Sequence, residues 1–591
     1  MSRRSTLVLC GGVSALVLAA SSLSWTLATP RAAAFVGRDL ARRYGLSLEA
    51  AGTATVTLLP APRLTFREAR LRHDGQTLVE SEGLQVQLGL GGLLAGRPEV
   101  TGVTLDRARI ALPDGGGWGE PVDRLAARLA AGQGRHLRRL VLAGATVTGR
   151  DPRTGAVERA TDVNLVAAWP RPSAGLDLSG TFTWRGVPAT VALAGLRPGD
   201  LATEAGSPFS AALTWAAGSL ELDGIASWRD GPHLAGRGRL ATRALPETLA
   251  WLGAEVPLGP LAGPFGLDGR FEARPGAVEW PSLRVRAGDN TLEGAGAATL
   301  VHGRLAVSGT LAADRLDLSS LLPGAPSGEE GRGALSLAAY TRGDLDLRLS
   351  AASARLGPLE AEDVAAGLLV RDGAVEATLG RATVQGGTLK GRAALAATPA
   401  GLDAKLQGTV DRLDLGALLA DLGEPRWILG RVQGTLALES AGGASLAALV
   451  ARLGGRATAA IEGGEILGLN LAELSQRPET AATALRRGGR THFERARVTL
   501  SLSDGVAEIT QGQIRGGALV AGLGGRISLP DRQLGAEVRI EPRTEGRPLA
   551  EARPASLFAI DGPWRRPTIR PVAGPRPPAP AIPASASAYA P

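Results

Sequence analysis

The 591-residue chain contains one cysteine, one methionine, five histidines and only 4% aromatic residues. Cys10 sits within a hydrophobic N-terminal run, which excludes an intrachain disulfide and a cysteine metal site. His73, His136, His233, His302 and His492 are scattered without metal-ligand spacing, so neither a metal nor a cofactor is expected. Lys390 and Lys405 are the only lysines, and neither completes a Walker A loop. No G-x-S-x-G elbow occurs, and Gly294-Ala295-Gly296 lacks the third glycine and the following helix of a dinucleotide turn, so it reads as a strand or turn. These absences predict no catalytic residues and no enzyme. No basic patch is interleaved with stacking aromatics, which argues against nucleic acid as a partner.

What the chain has in quantity is aliphatic side chains and turn formers. It is 44% hydrophobic, and its 81 glycines and 38 prolines punctuate short aliphatic runs. Spread in this way they mark many strands and turns, in an elongated and repetitive body large enough to bury a core. The net charge of +8 comes almost entirely from arginine interleaved with acids, the pattern of a solvated surface.

Residues 6–27 form a nearly uncharged run between Arg3-Arg4 and Pro30-Arg31. A helix of about 20 such residues spans a bilayer core. A cleavable signal peptide is the competing reading, since Ala32-Ala33-Ala34 offers small residues of the cleavage type. The run exceeds the usual signal-peptide core of about 7 to 15 residues, which favours an uncleaved anchor. Arg31, Arg38, Arg42 and Arg43 outnumber Arg3 and Arg4, but long domains translocate largely regardless of such charges, so the N-terminus is expected to be cytoplasmic.

Beyond the anchor, Phe35 to Tyr44 reads as a short helix, and strand patterns follow at Thr53–Leu59, Leu64–Leu71, Leu84–Leu88 and Val103–Leu112. Pro121–Ala131 switches to helical spacing with proline in the first turn. Strand and turn patterns return from Leu137 to Trp228, where Trp169, Trp184, Trp215 and Trp228 fall near strand ends. There they cap a sheet or pack a core more readily than they bind. DRLDLSSLL from Asp314 recurs as DRLDLGALL from Asp411, 411 minus 314 or 97 residues later, each a strand end running into a short helix. The segment from Arg371 is echoed from Ser503 as Asp-Gly, a return strand, then Gly386-Gly387 or Gly516-Gly517. Repeated hairpins of this kind stack into an extended body. Ser445–Leu453 and Asn470–Arg487, the latter interrupted at Pro478, are the remaining helical segments, and residues 571–591 are a Pro/Ala-rich tail expected to be disordered.

The clearest alternation lies between Ala496 and Ile540. Val498, Leu500 and Leu502 alternate with Arg497, Thr499, Ser501 and Ser503, which places the aliphatic side chains on one face of a strand. Asp504-Gly505 is a hairpin turn. The return strands carry Ile509, Leu519, Leu523 and Ile527. The result is an antiparallel meander with one apolar face, and those seven residues are its candidate lining.

The chain resembles the AsmA family of Gram-negative envelope proteins. The resemblance rests on LSLEAAGTATVTLLPAPRLTFREARL and LQVQLGLGGLLAGRPEVTGVTLDRARIAL near the N-terminus. In the C-terminal half it rests on GGRATAAIEGGEILGLNLAEL, THFERARVTLSLSDGVAEITQGQIRGGALVAGLGGRISL and FAIDGPWRRPTIRP. It implies a single-pass inner-membrane protein with a large periplasmic β-rich body in outer-membrane biogenesis. From larger relatives it implies a curled sheet whose apolar groove passes phospholipid from inner to outer membrane. It supplies no catalytic residues.

The expected architecture is therefore mainly β: a cytoplasmic tail (1–5), a transmembrane anchor (6–27), two AsmA-like β-rich periplasmic regions (28–310 and 311–570) and the tail (571–591). The fold is an elongated, curled antiparallel sheet, groove-like, with a few short helices. Two readings of the apolar face stay open: a groove for phospholipid acyl chains, or an ordinary core covered by helices or a second sheet. The alternative function is a periplasmic assembly or regulatory factor that contacts envelope proteins, for instance by strand addition at exposed sheet edges.

Overall fold

A computed structural model describes residues 25–58, 61–73, 75–94, 99–112, 137–150, 155–171, 173–229, 231–253, 263–301, 304–319, 337, 341, 343–476, 489–517, 519–543, 555–563 and 566–572. Strands make up 70% of them, as alternating aliphatic runs broken by glycine dictate. The chain divides into two compact units, one of Met1–Val256 with Leu261–Gly309 and the other of Pro257–Pro260 with Thr310–Pro591.

The described part of the first unit begins with a strand, Trp25–Leu27, paired antiparallel with Ala54–Val56. The last three residues of the expected anchor thus belong to the sheet, because their backbone groups find partners there. The remainder of the anchor lies outside the described residues, and no helix among the described residues is long and apolar enough to cross a membrane. The helix expected from Phe35 already starts at Thr29. Pro30 sets its first turn, where the missing N–H costs nothing, and Gly45 ends it at φ 69°, donating to the Ala41 carbonyl at 3.0 Å. Val36 and Leu40 press into a core with Phe66, Leu84, Val86 and Val100. Buried Asp39 ties the helix down: its Oδ2 accepts the Val100 N–H at 3.0 Å, and Arg42 donates to its Oδ1 at 3.4 Å.

The pattern at Val103–Leu112 resolves into two strands, Val100–Asp106 and Arg109–Ala111, broken at Arg107, whose φ is 46°. Both pair in parallel with Arg139–Arg150, a departure from the all-antiparallel expectation. Parallel pairing requires a connection of a dozen or more residues, and 27 residues separate Ala111 from Arg139 in the sequence. The helix expected at Pro121–Ala131 lies outside the described residues. From Arg139–Arg150 to Asn290–Val301 the sheet is an antiparallel meander. One of its two-residue turns, Arg185-Gly186, has φ of 48° and 77°, the double positive φ whose twist matches the flanking strands.

The second unit continues the same way from Asp344–Leu356 to Thr568–Val572, each strand antiparallel to the next in the chain. Asp504-Gly505 is the expected hairpin turn, with φ of 48° and 71°. Its counterpart from Arg371 turns first at Asp372-Gly373 and then at Gln385-Gly386, one residue before the expected Gly386-Gly387, since Gly387 pairs with Val384. Two short helices fall within the expected segments, Leu446–Ala451 capped by Ser445 and Leu471–Gln476 after Asn470. Residues 477–488, including Pro478, lie outside the described residues. The final strand takes in Pro571 and Val572 from the stretch assigned to the tail, because Phe558 and Leu557 offer them backbone partners.

The 97-residue echo shares an aspartate that accepts a following backbone N–H, and the helix expected after Asp317 lies outside the described residues. Asp317 accepts the Ser319 N–H at 2.8 Å, and Asp414 accepts the Ala417 N–H at 2.9 Å to start the helix Leu415–Asp421. The Ser319 hydrogen bonds hold the Asp317 carboxyl below its ordinary pKa. A lowered pKa means this turn is stabilised above the ordinary carboxylate range, and the contribution disappears as pH falls through the folded value. A carboxyl-carbon NMR titration of Asp317 should therefore give a midpoint below that of an aspartate in an unfolded peptide. Asp414→Ala removes the cap and should cost about 1 kcal/mol, with amide exchange accelerated in residues 415–421.

Candidate functional site: a one-sided apolar face

Directly opposed residues in an antiparallel pair share a face, so the register reads out rows that cross the sheet. In the second unit one row runs Leu347, Leu368, Ala377, Ala393, Leu406, Leu438, Gly455, Leu502, Ala507, Ile527, Leu534. It crosses eleven strands, from Asp344–Leu356 to Gln533–Pro542, without a polar side chain. The parallel row two residues along contains Leu349, Leu379, Leu436, Leu500 and Ile509, and is equally apolar. The row between them lies on the other face and runs from Arg348 through Thr378, Arg392, Gln407, Arg456, Ser501 and Glu508 to Arg526. Gly367 and Ala437 also fall on this row, but period-two alternation, kept in register strand after strand, keeps polar side chains off both apolar rows.

The seven predicted residues fall on that single apolar face. Val498 opposes Ala459, Leu500 opposes both Ala457 and Ile509, Leu502 opposes Ala507, and Ala507 opposes Ile527. Leu523 opposes Val538 and Leu519 opposes Pro542. A bulge between Ile509 and Gln513 shifts the register without changing the face, since Ile514 again opposes Ala521.

Burial divides the face into closed ends and an open middle. At one end Leu337 and Leu449, the latter from the helix Leu446–Ala451, cover Leu402, Val375, Leu395 and Ala404. At the other end Leu471 and Leu474 pack on Ala521, Val538, Ile540 and Phe558, with Leu519 and Leu523 against that cluster. Between the ends Leu347, Leu368, Leu436, Leu438, Val498 and Leu500 are half-buried, and Leu406 is 43% exposed. Leu502 is buried. The predicted set therefore spans both the open middle and one closed end. The open residues Leu406, Leu436 and Leu438 went unmarked in the sequence, although Ala404, Leu406 and Gly408 alternate with Lys405 and Gln407 as regularly as the marked strand does.

The first unit repeats the design. Val191, Leu213, Leu220, Leu240, Leu267, Val285 and Leu292 oppose one another in sequence. One end is closed by tryptophans: Trp251, from the helix Leu245–Leu252, lies 5.4 Å from Trp184 and 5.3 Å from Trp215 between ring centres. The plug is tied by hydrogen bonds, with Trp251 Nε1 donating to the Trp184 carbonyl at 2.9 Å and Trp184 Nε1 to Glu158 at 2.9 Å. Arg185 bridges Glu158 and the Trp251 carbonyl while lying 4.6 Å over the Trp184 ring. At the opposite end Trp228 packs on the cluster of Leu201, Phe209, Ala226 and Phe271. Trp184, Trp215 and Trp228 thus close sheet ends, and Trp169 is buried. Trp251 at the centre of the plug was the one overlooked. Pro246 opening a helical turn in LPETLAWLG was the available signal.

The polar face offers different chemistry. A hollow of about 580 Å³ there is lined by Thr409, Gln433, Thr435, Thr458, Arg497, Thr499 and Gln511. Among the described residues no three His, Cys, Asp or Glu side chains converge to hold a metal. His73 contacts the Gly45 carbonyl at 3.1 Å and His492 lies 3.4 Å from Glu465, while His136 and His302 are outside the described residues.

Each unit thus presents a sheet with one aliphatic face whose ends are covered by short helices. Residues 329–511 match the AsmA family and form an AsmA family domain. No curated protein and no solved structure matches the chain.

If the middle of the face is open in solution, truncation there should cost little. Leu406→Ala is expected to lower stability by under about 1 kcal/mol, against about 2–5 kcal/mol for Leu402→Ala at the covered end, both read from urea unfolding. Equal costs would mean that the face is covered.

Proposed function

We propose that the chain is a non-enzymatic envelope protein of outer-membrane biogenesis, and that its apolar sheet face holds phospholipid acyl chains in passage between inner and outer membrane. The reading further places the chain in the inner membrane through the uncharged run that precedes Trp25, with its body in the periplasm. The observation that carries it is the row from Leu347 to Leu534, which holds no polar side chain and, though buried at Leu502 and Ala507, is half-exposed at Leu347, Leu368, Leu438 and Leu534 and exposed at Leu406. A monomeric soluble sheet gains nothing from leaving such a row in water, whereas each acyl methylene laid on it contributes about 0.8 kcal/mol. A few methylenes per row give reversible holding. Several adjacent rows let a chain shift from one to the next without returning to water.

The face also suits a carrier better than a store. Its rows are built from Leu, Ala and Gly rather than aromatic pockets, so it selects for aliphatic length and against no particular headgroup. Charged groups lie on the opposite face, where Arg392 meets Glu376 and Arg495 meets Glu462, and do not interrupt the track.

A photoreactive residue placed at Leu406 or Leu500 in cells should yield phospholipid adducts, while the same residue at Lys405 or Thr499, one step along each strand on the polar face, should not. Protein adducts alone from Leu406 and Leu500 would favour an assembly factor that works through protein contacts.

A further inference from the structure

We propose that the first unit carries a membrane seat: Trp25, Leu27, Leu58 and Leu90 form an apolar end that rests in the headgroup layer of the bilayer from which the chain emerges. All four are exposed, at 53%, 46%, 43% and 62% respectively, while the residues behind them, Leu64, Val86 and Leu88, are buried. The register brings them together. Trp25 opposes Val56, Val56 opposes Leu64, and Leu64 opposes Val86, so four adjacent strands end in one row. Leu58 follows Val56 and Thr57 past that row, and Leu90 opens the short helix after Leu88, whose N–H reaches the Pro62 carbonyl at 2.8 Å. Trp25, Leu58 and Leu90 therefore project from the same end of the sheet, with Leu27 one step in.

That end is also where the chain arrives from residue 24. Residues 6–24 contain no charged side chain, and the proposal rests on reading them as a membrane anchor. Trp25 is fixed in the sheet by its pairing with Val56, so no linker separates that run from the folded body. Whatever surface residue 24 reaches, the row at Trp25 reaches within one residue. A tryptophan with an apolar body and a polar N–H suits the headgroup layer, and leucines beside it gain by leaving water. A protein partner would need no such coincidence between the patch and the chain's point of entry. The seat would fix the angle at which the body leaves the membrane, where a free tether would let it swivel.

The test uses the full chain in phosphatidylcholine and phosphatidylglycerol vesicles carrying a headgroup nitroxide lipid, with one fluorophore per protein. Native Cys10 takes the label in one sample. In the Cys10→Ser background, Leu58→Cys, Leu90→Cys and Ser210→Cys take it in the others. Leu58, Leu90 and Ser210 are exposed, so the substitutions leave the fold intact. Quenching at positions 58 and 90 at least twofold greater than at 210 is expected. Quenching at position 10 with 58 and 90 no different from 210 overturns the seat and leaves the anchor standing. Quenching at 58 and 90 without any at 10 overturns the anchor and with it the seat as stated, leaving a membrane contact that the chain's entry does not explain. No quenching at 10, 58 or 90 overturns both.

Discussion

The structure depends on one constraint, that alternation of side chains must stay in register from each strand to the next. A slip by one residue in any pair would carry aliphatic side chains onto the polar face. In the second unit the register holds across eleven strands despite bulges at Leu379/Ala382, Val410/Leu413 and Ile509/Gln513. Each bulge shifts the pairing by an amount that returns aliphatic side chains to the same face. Short hairpin turns with two positive φ values, as at Asp372-Gly373 and Asp504-Gly505, leave the strands little freedom to slip.

Given that register, the short helices acquire a purpose. An open aliphatic sheet would be most exposed where strands end, and there Leu449, Leu471 and Leu474 cover it in the second unit and Trp251 in the first. The closed ends supply the packing that stabilises each unit. The middle is thereby left free of that task, and it is the middle that the proposed function uses. Stability and binding occupy different rows of one surface.

Much of this was legible in the residues. Strict alternation at Val498, Leu500 and Leu502 set the face, and Asp504-Gly505 set the turn that returns Ala507 to it, opposite Ile527 on the next strand. The face of the strand at Leu406 was written as clearly but drew no notice, because Ala and Gly beside it dilute the aliphatic signal. The parallel pairing of Val100–Asp106 with Arg139–Arg150 was not legible, since a local pattern records which face a residue takes and not which strand lies alongside. Nor was the open or closed state of each row. Leu402 and Leu406 are four residues apart on one strand and one face, yet one is buried and the other exposed, because Leu449 and Leu337 arrive from elsewhere in the chain.

The central claim, that the open middle of the apolar face holds lipid, is tested most directly by native mass spectrometry of the full chain extracted in mild detergent. The account predicts adducts of phospholipid mass on the unaltered protein and their loss when Leu406 and Leu500 are both replaced by glutamate, with the fold retained by circular dichroism. A bare unaltered chain, or an equal lipid load on both proteins, would contradict it.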